Sequence, residues 1–322
     1  MGRRAAIRYK GADCVKKIKN VSVIGLGAIG GSYAAKLFDT GSIDFTVIAD
    51  SSRIGKYSTN KLTVNGKPYD FNFIRPEDDG AYADLILIAV KYHNLSQAVD
   101  AIRKRIGPDT IIMSLLNGID SEEILGGAFG MEKLLYSSCV GIDAVRNAND
   151  IRYTSFGKLY FGESLNKLQS ERVERVKALF DEAGIPYVIP EDMVKAIWWK
   201  YMINIGVNQA SAVLGATYGV FRNISEAHEL IDSAMREVIA VSAKAGVGLR
   251  EGDIAEAHRV LGTLSADGKT SMLQDMEAGR KTEVEMLSGV LCEMGRKYGV
   301  PTPVNDTLFK MIRTLEQMKS WC

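Results

Sequence analysis

Val21–Gly41, VSVIGLGAIGGSYAAKLFDTG, is the stretch from which the rest of the chain is read. A β-branched run leads straight into Gly25-Leu26-Gly27-Ala28-Ile29-Gly30, and helix-forming residues follow. This is G-x-G-x-x-G between a strand and a helix, and each glycine then has its own task. Gly25 permits a tight turn, Gly27 lets the backbone approach a pyrophosphate, and Gly30 lets the helix pack closely on the strand. The start of that helix offers free N–H groups and a positive dipole end to phosphates. A dinucleotide site over Gly25, Leu26, Gly27, Ala28, Ile29 and Gly30 is the expectation.

Outward from this motif, short apolar runs alternate with helical stretches as far as Pro190: DFTVIAD, DLILIAV, TIIMSLL and LLYSSCV. Runs that are apolar on both faces suit a parallel sheet covered by helices on either side. LTVNGKPYDFNF is the exception, because Asn65-Gly66 between alternating segments signals a hairpin inserted into the α/β domain. After Pro190 helical patterns take over, with breaks expected at Gly246, Gly248, Gly262, Gly268, Gly299, Pro301 and Pro303. The expected fold class is therefore α/β: a Rossmann-type, doubly wound parallel sheet followed by an all-helical domain. The division expected is residues 1–190, of which 1–20 are an N-terminal extension, and 191–322.

At 322 residues, with 40 basic and 39 acidic side chains, the chain has material for two cores and almost no net charge. Neither nucleic acid nor a membrane is an expected partner. The first twenty residues are basic but lack the apolar core of a secretory signal. Cys14, Cys139, Cys292 and Cys322 are scattered, which suits reduced thiols in the cytoplasm and gives no metal-ligand spacing. No metal is expected.

Asp50 closes the second strand twenty residues after Gly30, where an acidic side chain binds the ribose of NAD. Arg53 and Lys56 follow closely and are able to hold a 2′-phosphate. Both readings stand beside a third, that these are solvated loop charges.

The stretch KAIWWKYMINIGVNQASAVLG is apolar almost all round, so it reads as a buried helix. Lys200, Asn204 and Asn208 interrupt it at i, i+4 and i+8 and so form one narrow polar stripe. Buried charge needs replacement of its lost hydration, which points to a polar cavity; a snorkelling lysine above two amides is the alternative. On a second apolar helix face lies Glu283, in register with Met276, Leu287, Val290 and Met294, while Glu285 points elsewhere. A carboxylate there needs a cation: either the lysine of the stripe or a local partner such as Arg280. Lys91 and Asn117-Gly118 each follow a strand's carboxyl end, where open α/β sheets bind ligands, although a surface lysine and an ordinary turn pair fit the same pattern. His93, His228 and His258 lie outside these motifs.

Taken together, VIGLGAIGG, AVK at 89–91, LLNG at 115–118, WWKYMINIGVNQ at 198–209 and SMLQDMEAGRKTEVEMLSG at 271–289 resemble the ketopantoate reductase (2-dehydropantoate 2-reductase) family. The resemblance implies reduction of a 2-keto acid, 2-dehydropantoate, to (R)-pantoate on the route to pantothenate and coenzyme A. It implies catalysis by Lys200 and Glu283, and substrate binding by Asn117, Asn204, Asn208 and Ser271. Lys91, Asn117 and Glu283 are implied as coenzyme contacts beside the glycine loop, Asp50 and Arg53. NADP(H) is the implied coenzyme, with NAD(H) kept open by Asp50, which stands where many members carry a basic residue. Ser271 has a local alternative, since Ser271-x-x-Gln274 is a capping box. Twelve residues of continuous helix would also separate Ser271 from Glu283 by about 18 Å, so both touch one small substrate only if the helix bends or tilts across the pocket, and Gly279 is one place for a bend. A homodimer through the helical domain is a further expectation. Two other readings remain: a dehydrogenase of another small 2-keto or 2-hydroxy acid, and a non-enzymatic sensor of the nicotinamide pool.

Overall fold

The computed structural model describes residues 16–318, so Cys14, Cys322 and most of the N-terminal extension lie outside the described residues. The first part runs β1 (Asn20–Ile24), α1 (Ala28–Phe38), β2 (Asp44–Ile48), α2 (Ser51–Thr59), β3 (Leu62–Val64), β4 (Lys67–Tyr69), β5 (Phe73–Ile74) and β6 (Ala83–Ile88). It continues through α3 (Leu95–Ile102), β7 (Ile106–Ser114), α4 (Ser121–Phe129), β8 (Leu134–Val140), β9 (Val145–Asn147), β10 (Asp150–Arg152), β11 (Lys158–Gly162), α5 (Glu171–Glu182) and β12 (Tyr187–Val188). Helices alone follow: α6 (Met193–Leu214), α7 (Tyr218–Asn223), α8 (Ser225–Lys244), α9 (Glu251–Thr263), α10 (Ser271–Glu277), α11 (Val290–Tyr298) and α12 (Pro303–Met318). A π-helical turn, Glu285–Gly289, leads into α11.

The large sheet has the order β12-β11-β8-β7-β6-β1-β2-β5 and is parallel except between β8 and β11. From β1 the chain works outward to β2 and β5, then returns to lay β6 on the other side of β1. That reversal opens a crevice at the carboxyl ends of β1 and β6, the ligand position of doubly wound sheets. Alternation along the strands explains the two-sided apolar runs. Val21, Val23, Leu85, Leu87, Ile111 and Met113 face α1 and α5, whereas Ile24, Ile48, Ile86, Ile88 and Ile112 face α3 and α4.

The Asn65-Gly66 hairpin forms as expected, with both residues at positive φ (48° and 81°). Its place differs from a simple insertion. β3 pairs with β10, giving a separate four-stranded sheet of order β4-β3-β10-β9 that lies against α1. Gly31 makes the approach possible, because a Cβ there would sit 2.2 Å from Ile151 Cδ1.

In the helical part, α6 packs against α8, α10 and α12. Its start is capped by Asp192, whose side chain accepts from the Lys195 N–H at 2.8 Å, and its end by Gly215 at φ 63°. Tyr201 is fully buried and donates its hydroxyl to the Leu287 carbonyl at 2.6 Å, fixing the π-helical turn onto α6. Among the described residues, no helix is long and apolar enough to cross a membrane.

Two expectations need correction. Gly262 lies within the last turn of α9 and does not break it. The stretch from Ser271 to Met294 is not one helix: α10 stops at Glu277, Gly279 takes φ 67°, and winding resumes only near Glu285. Nothing lies within 4 Å of a Cβ built on Gly279, so its requirement is conformational rather than steric. Gly279→Ala should therefore cost about 1 kcal/mol or more, the penalty of a left-handed conformation for an L side chain. Urea denaturation measures it, and a stability equal to wild type would show that the break does not depend on glycine.

Candidate active site

The glycine loop separates two kinds of glycine. Gly25 sits at φ 96°, and a Cβ on it would lie 2.5 Å from the Ala89 carbonyl oxygen just beyond β6. On Gly30 it would lie 2.0 Å from the Gly25 carbonyl oxygen. Both are required by the protein's own packing. A Cβ on Gly27, by contrast, meets no protein atom closer than 3.9 Å. Its openness leaves room for a phosphate against the backbone, and Gly27 also N-caps α1 without any side chain occupying the first amides. Gly25, Leu26, Gly27, Ala28, Ile29 and Gly30 thus fit a dinucleotide.

Asp50 stands at the carboxyl end of β2, and its carboxylate caps α2 by accepting from the Arg53 N–H at 2.8 Å. Arg53 Nε is 3.5 Å from the same carboxylate, and both side chains are largely exposed. One residue near the loop carried no signal in the sequence: Arg146, on β9, donates to the Leu26 carbonyl and to the Tyr57 hydroxyl, the latter at 3.2 Å. It ties the glycine loop to α2 from a strand 120 residues away.

Five expected residues line one small cavity, Asn117 from the sheet side and Asn204, Asn208, Ser271 and Glu283 from the helical part, with an apolar wall of Met272, Met286 and Leu287. Lys200 joins them by donating from Nζ to Asn117 Oδ1 at 2.9 Å, a bond between the loop after β7 and helix α6. Asn117 Nδ2 in turn lies 3.5 Å from Glu283 Oε2. Gly118 brings this loop close, since at φ 96° its Cβ would stand 2.8 Å from Met286 Cγ. Lys91 reaches over from the first part of the chain, with Nζ 3.6 Å from Glu283 and 3.1 Å from Asp275.

The local alternatives are resolved by these contacts. Arg280 pairs with Asp275 at 2.8 Å, not with Glu283. Thr270, not Ser271, caps α10 by accepting from the Leu273 N–H, so the Ser271 hydroxyl is not used for capping. Glu285 does point away, toward Lys281 and Arg313. Ser271 and Glu283 share a cavity because the chain breaks at Gly279. The residue that pattern reading missed is Asp275, which is 5 % exposed and lines the same cavity. It was within reach of the argument applied to Glu283: a carboxylate among Met272, Leu273 and Met276, one turn after Ser271.

Burial dominates the electrostatics. It lowers the Lys200 pKa below the ordinary lysine value, while the charges of Cys139 and Glu283 pull it back up. Burial likewise raises the Cys139 thiol, against the pull of Lys200. A protonated Lys200 therefore gives up its proton more readily than a solvated lysine.

An uncapped helix start beside a glycine turn, facing a lysine, amides and carboxylates on a helical unit, defines an NAD(P)-dependent oxidoreductase of two-part architecture. Family models described as ketopantoate reductase PanE/ApbA and ketopantoate reductase PanE/ApbA C terminal match residues 21–166 and 192–316. The chain belongs to the ketopantoate reductase family. It is 28 % identical over 304 residues to a 2-dehydropantoate 2-reductase of Aquifex aeolicus, covering 91 % of this chain and 96 % of that one. A 2-dehydropantoate 2-reductase structure from Methylococcus capsulatus superposes with a TM-score of 0.79 at 28 % identity, covering 94 % of this chain and 98 % of the other. D-mandelate dehydrogenase with NADH and anilino(oxo)acetate gives a TM-score of 0.83 at 21 % identity, covering 92 % and 98 %.

The two kinds of glycine make a contrast that experiment resolves. Gly27→Val should keep the wild-type melting temperature and lose coenzyme affinity in calorimetry. Gly25→Val should lose stability first. Undiminished coenzyme binding by Gly27→Val would remove the loop's assignment.

Proposed function

We propose that the chain reduces 2-dehydropantoate to (R)-pantoate with NADPH, a step toward pantothenate and coenzyme A. The observation that carries this reading is the Lys200–Asn117 hydrogen bond, which ties a lysine of lowered pKa to a residue lining the cavity of Asn204, Asn208, Ser271 and Glu283. The glycine loop, with Lys91, Asn117 and Glu283, would hold the coenzyme, which when bound would supply the hydride for C2 of the keto acid.

Lys200 gives its proton to the keto oxygen as that oxygen gains negative charge. An ammonium in hydrogen-bond reach stabilises the developing charge and also quenches it. Asn204, Asn208 and Ser271 supply donors for a carboxylate, and Glu283 accepts from the substrate's hydroxyl. Asn117 orients Lys200 through its side-chain oxygen. Asp50 and Arg53 would flank the adenosine ribose, so a helix-capping carboxylate and a guanidinium, both largely exposed, compete there over the 2′-phosphate. A cytoplasmic location suits Cys139 and Cys292, both buried and free. A homodimer through the helical half suits its exposed Leu214, Ile224 and Met311.

Substrate identity is tested by coenzyme oxidation with 2-dehydropantoate beside a panel of 2-keto acids that includes aromatic ones, each with NADPH and with NADH. The expected result is the highest kcat/KM for 2-dehydropantoate with NADPH. A higher value for another acid would retain the reaction type and replace the substrate.

Lys200→Ala should lower kcat by about 10² to 10⁴, the range for loss of a general acid, with coenzyme affinity kept. In the reductive direction, wild-type turnover should fall as pH rises through the Lys200 pKa, a limb below the usual lysine range. Glu283→Gln removes a charge that raises this pKa, so the limb should move to lower pH. A folded Lys200→Ala protein with near wild-type turnover, or a limb that stays in place in Glu283→Gln, would assign the proton to another group.

A further inference from the structure

None of the three histidines lines the cavity of Asn117 and Glu283, and the fold brings two of them together elsewhere. His228 and Asp232 are four residues apart on α8 and so share one face a turn apart. His258 meets them from α9. One nitrogen of each imidazole and one oxygen of the carboxylate all lie within 4.8 Å of one another. We propose that His228, Asp232 and His258 bind one divalent transition-metal ion of the zinc class, which bridges α8 and α9.

The donor set is the first argument. Two imidazoles and one carboxylate are the ligands of zinc and its neighbours in the first transition row, while calcium and magnesium take oxygen. Geometry is the second. His258 Nε2 is 2.5 Å from Asp232 Oδ1, whereas His228 Nδ1 stands 3.9 Å from Asp232 Oδ2, too far for a hydrogen bond. Ligands at about 2.0–2.2 Å from a tetrahedral ion are roughly 3.3 Å apart, so one ion near the carboxylate serves all three groups after small side-chain rotations. The two rings stack with centroids 4.0 Å apart and planes inclined by 13°, so both already present an edge to the same carboxylate.

Room for the remaining coordination positions is the third argument. His228 and His258 line a cavity of about 200 Å³ with Val207, Tyr218, Phe221, Arg222 and Leu261. None of these residues lines the cavity of Asn117, Asn204, Asn208 and Glu283. Three protein ligands facing such a space leave positions for water or a small anion, the open pattern of non-structural zinc sites. Arg236 is the competing cation, 3.5 Å from Asp232 Oδ2. It is also held by Glu251 at 2.9 Å, so it keeps a partner when a metal takes the carboxylate.

The test uses the full chain, free of any affinity tag and stripped with a chelator, titrated with Zn²⁺ in a calorimeter and with Co²⁺ by visible absorption. About one ion per chain is expected, with Co²⁺ bands of a four- or five-coordinate nitrogen–oxygen site. His228→Ala, Asp232→Asn and His258→Ala should each weaken binding by at least about 10- to 100-fold, the loss that even outer-shell partners of a metal cause. Turnover of the keto acid by the metal-free variants should match the metal-free wild type. Stoichiometric binding that survives in the His228→Ala, His258→Ala double variant would put the ion elsewhere and overturn the proposal. Absence of binding would overturn it too, leaving a stacked histidine pair with one hydrogen bond to Asp232. Should the double variant fold poorly, His228→Ala alone decides, because that ring is 43 % exposed and its loss leaves little packing behind.

Discussion

A single partly buried lysine holds the two parts of the site in relation to each other. Lys200 rides on a helix whose other faces are apolar, so its lost hydration has to be replaced locally. Asn117 does this with a hydrogen bond at 2.9 Å, and Glu283 with a negative charge. These compensating groups come from opposite sides: Asn117 follows β7 of the sheet, and Glu283 precedes the π-helical turn of the helical part. The hydrogen bond to Asn117 therefore forms only when sheet edge and helices are docked. Docking, in turn, is what assembles the cavity.

Two backbone devices make that docking geometrically possible. At Gly118, the loop after β7 presses against Met286, an approach that a side chain would block at 2.8 Å. At Gly279 a left-handed residue ends α10, so that Ser271 and Glu283, which a straight helix would hold about 18 Å apart, line the same space. The π-helical turn that follows is pinned by the Tyr201 hydroxyl from the same helix that carries Lys200. Wide turns of this type often sit at functional sites because they re-aim side chains within a helix. Here the turn sets Met286 and Leu287 as the cavity's apolar wall while Glu285 faces outward to Lys281 and Arg313.

The parts legible in the sequence were those governed by local or periodic rules. Gly25, Gly27 and Gly30 were readable because steric demands on a strand–turn–helix act over six residues. Lys200, Asn204 and Asn208 were readable because helical periodicity puts them on one stripe. What pattern reading lost was tertiary. The pairing of β3 with β10 joins segments almost ninety residues apart through two strands of three residues each, too short to show a period of their own. Arg146 reaches the glycine loop from that same sheet, and no spacing rule connects it to Leu26. Asp275 was legible in principle, but its neighbour Glu283 drew the single counter-charge that the lysine stripe called for. The structure has two carboxylates there because it also has two lysines, Lys91 having crossed the crevice to meet them. His228, Asp232 and His258 show the same limit, since only the packing of α9 on α8 makes neighbours of residues that share no motif.

Substrate choice rests on a different set of residues from the chemistry. An ammonium, two amides and a hydroxyl suit the carboxylate and keto oxygen that every 2-keto acid has in common, so they favour the class without favouring a member. Under the proposed function, discrimination would fall to Met272, Met286 and Leu287, the apolar wall of the cavity. Apolar walls separate substrates weakly, by about 1–3 kcal/mol per methylene. A polar group that must be satisfied separates them strongly, because an analogue lacking its partner leaves it buried and unpaired. In this cavity Glu283 is such a group: only 13 % of its side chain is exposed, and Lys91 and Asn117 approach it no closer than 3.6 and 3.5 Å. A substrate bearing a hydroxyl would give that carboxylate the short hydrogen bond it lacks, whereas an aromatic side chain would press a ring against it. This asymmetry is the physical reason for favouring a hydroxylated aliphatic keto acid over an aromatic one on a fold shared with a mandelate dehydrogenase.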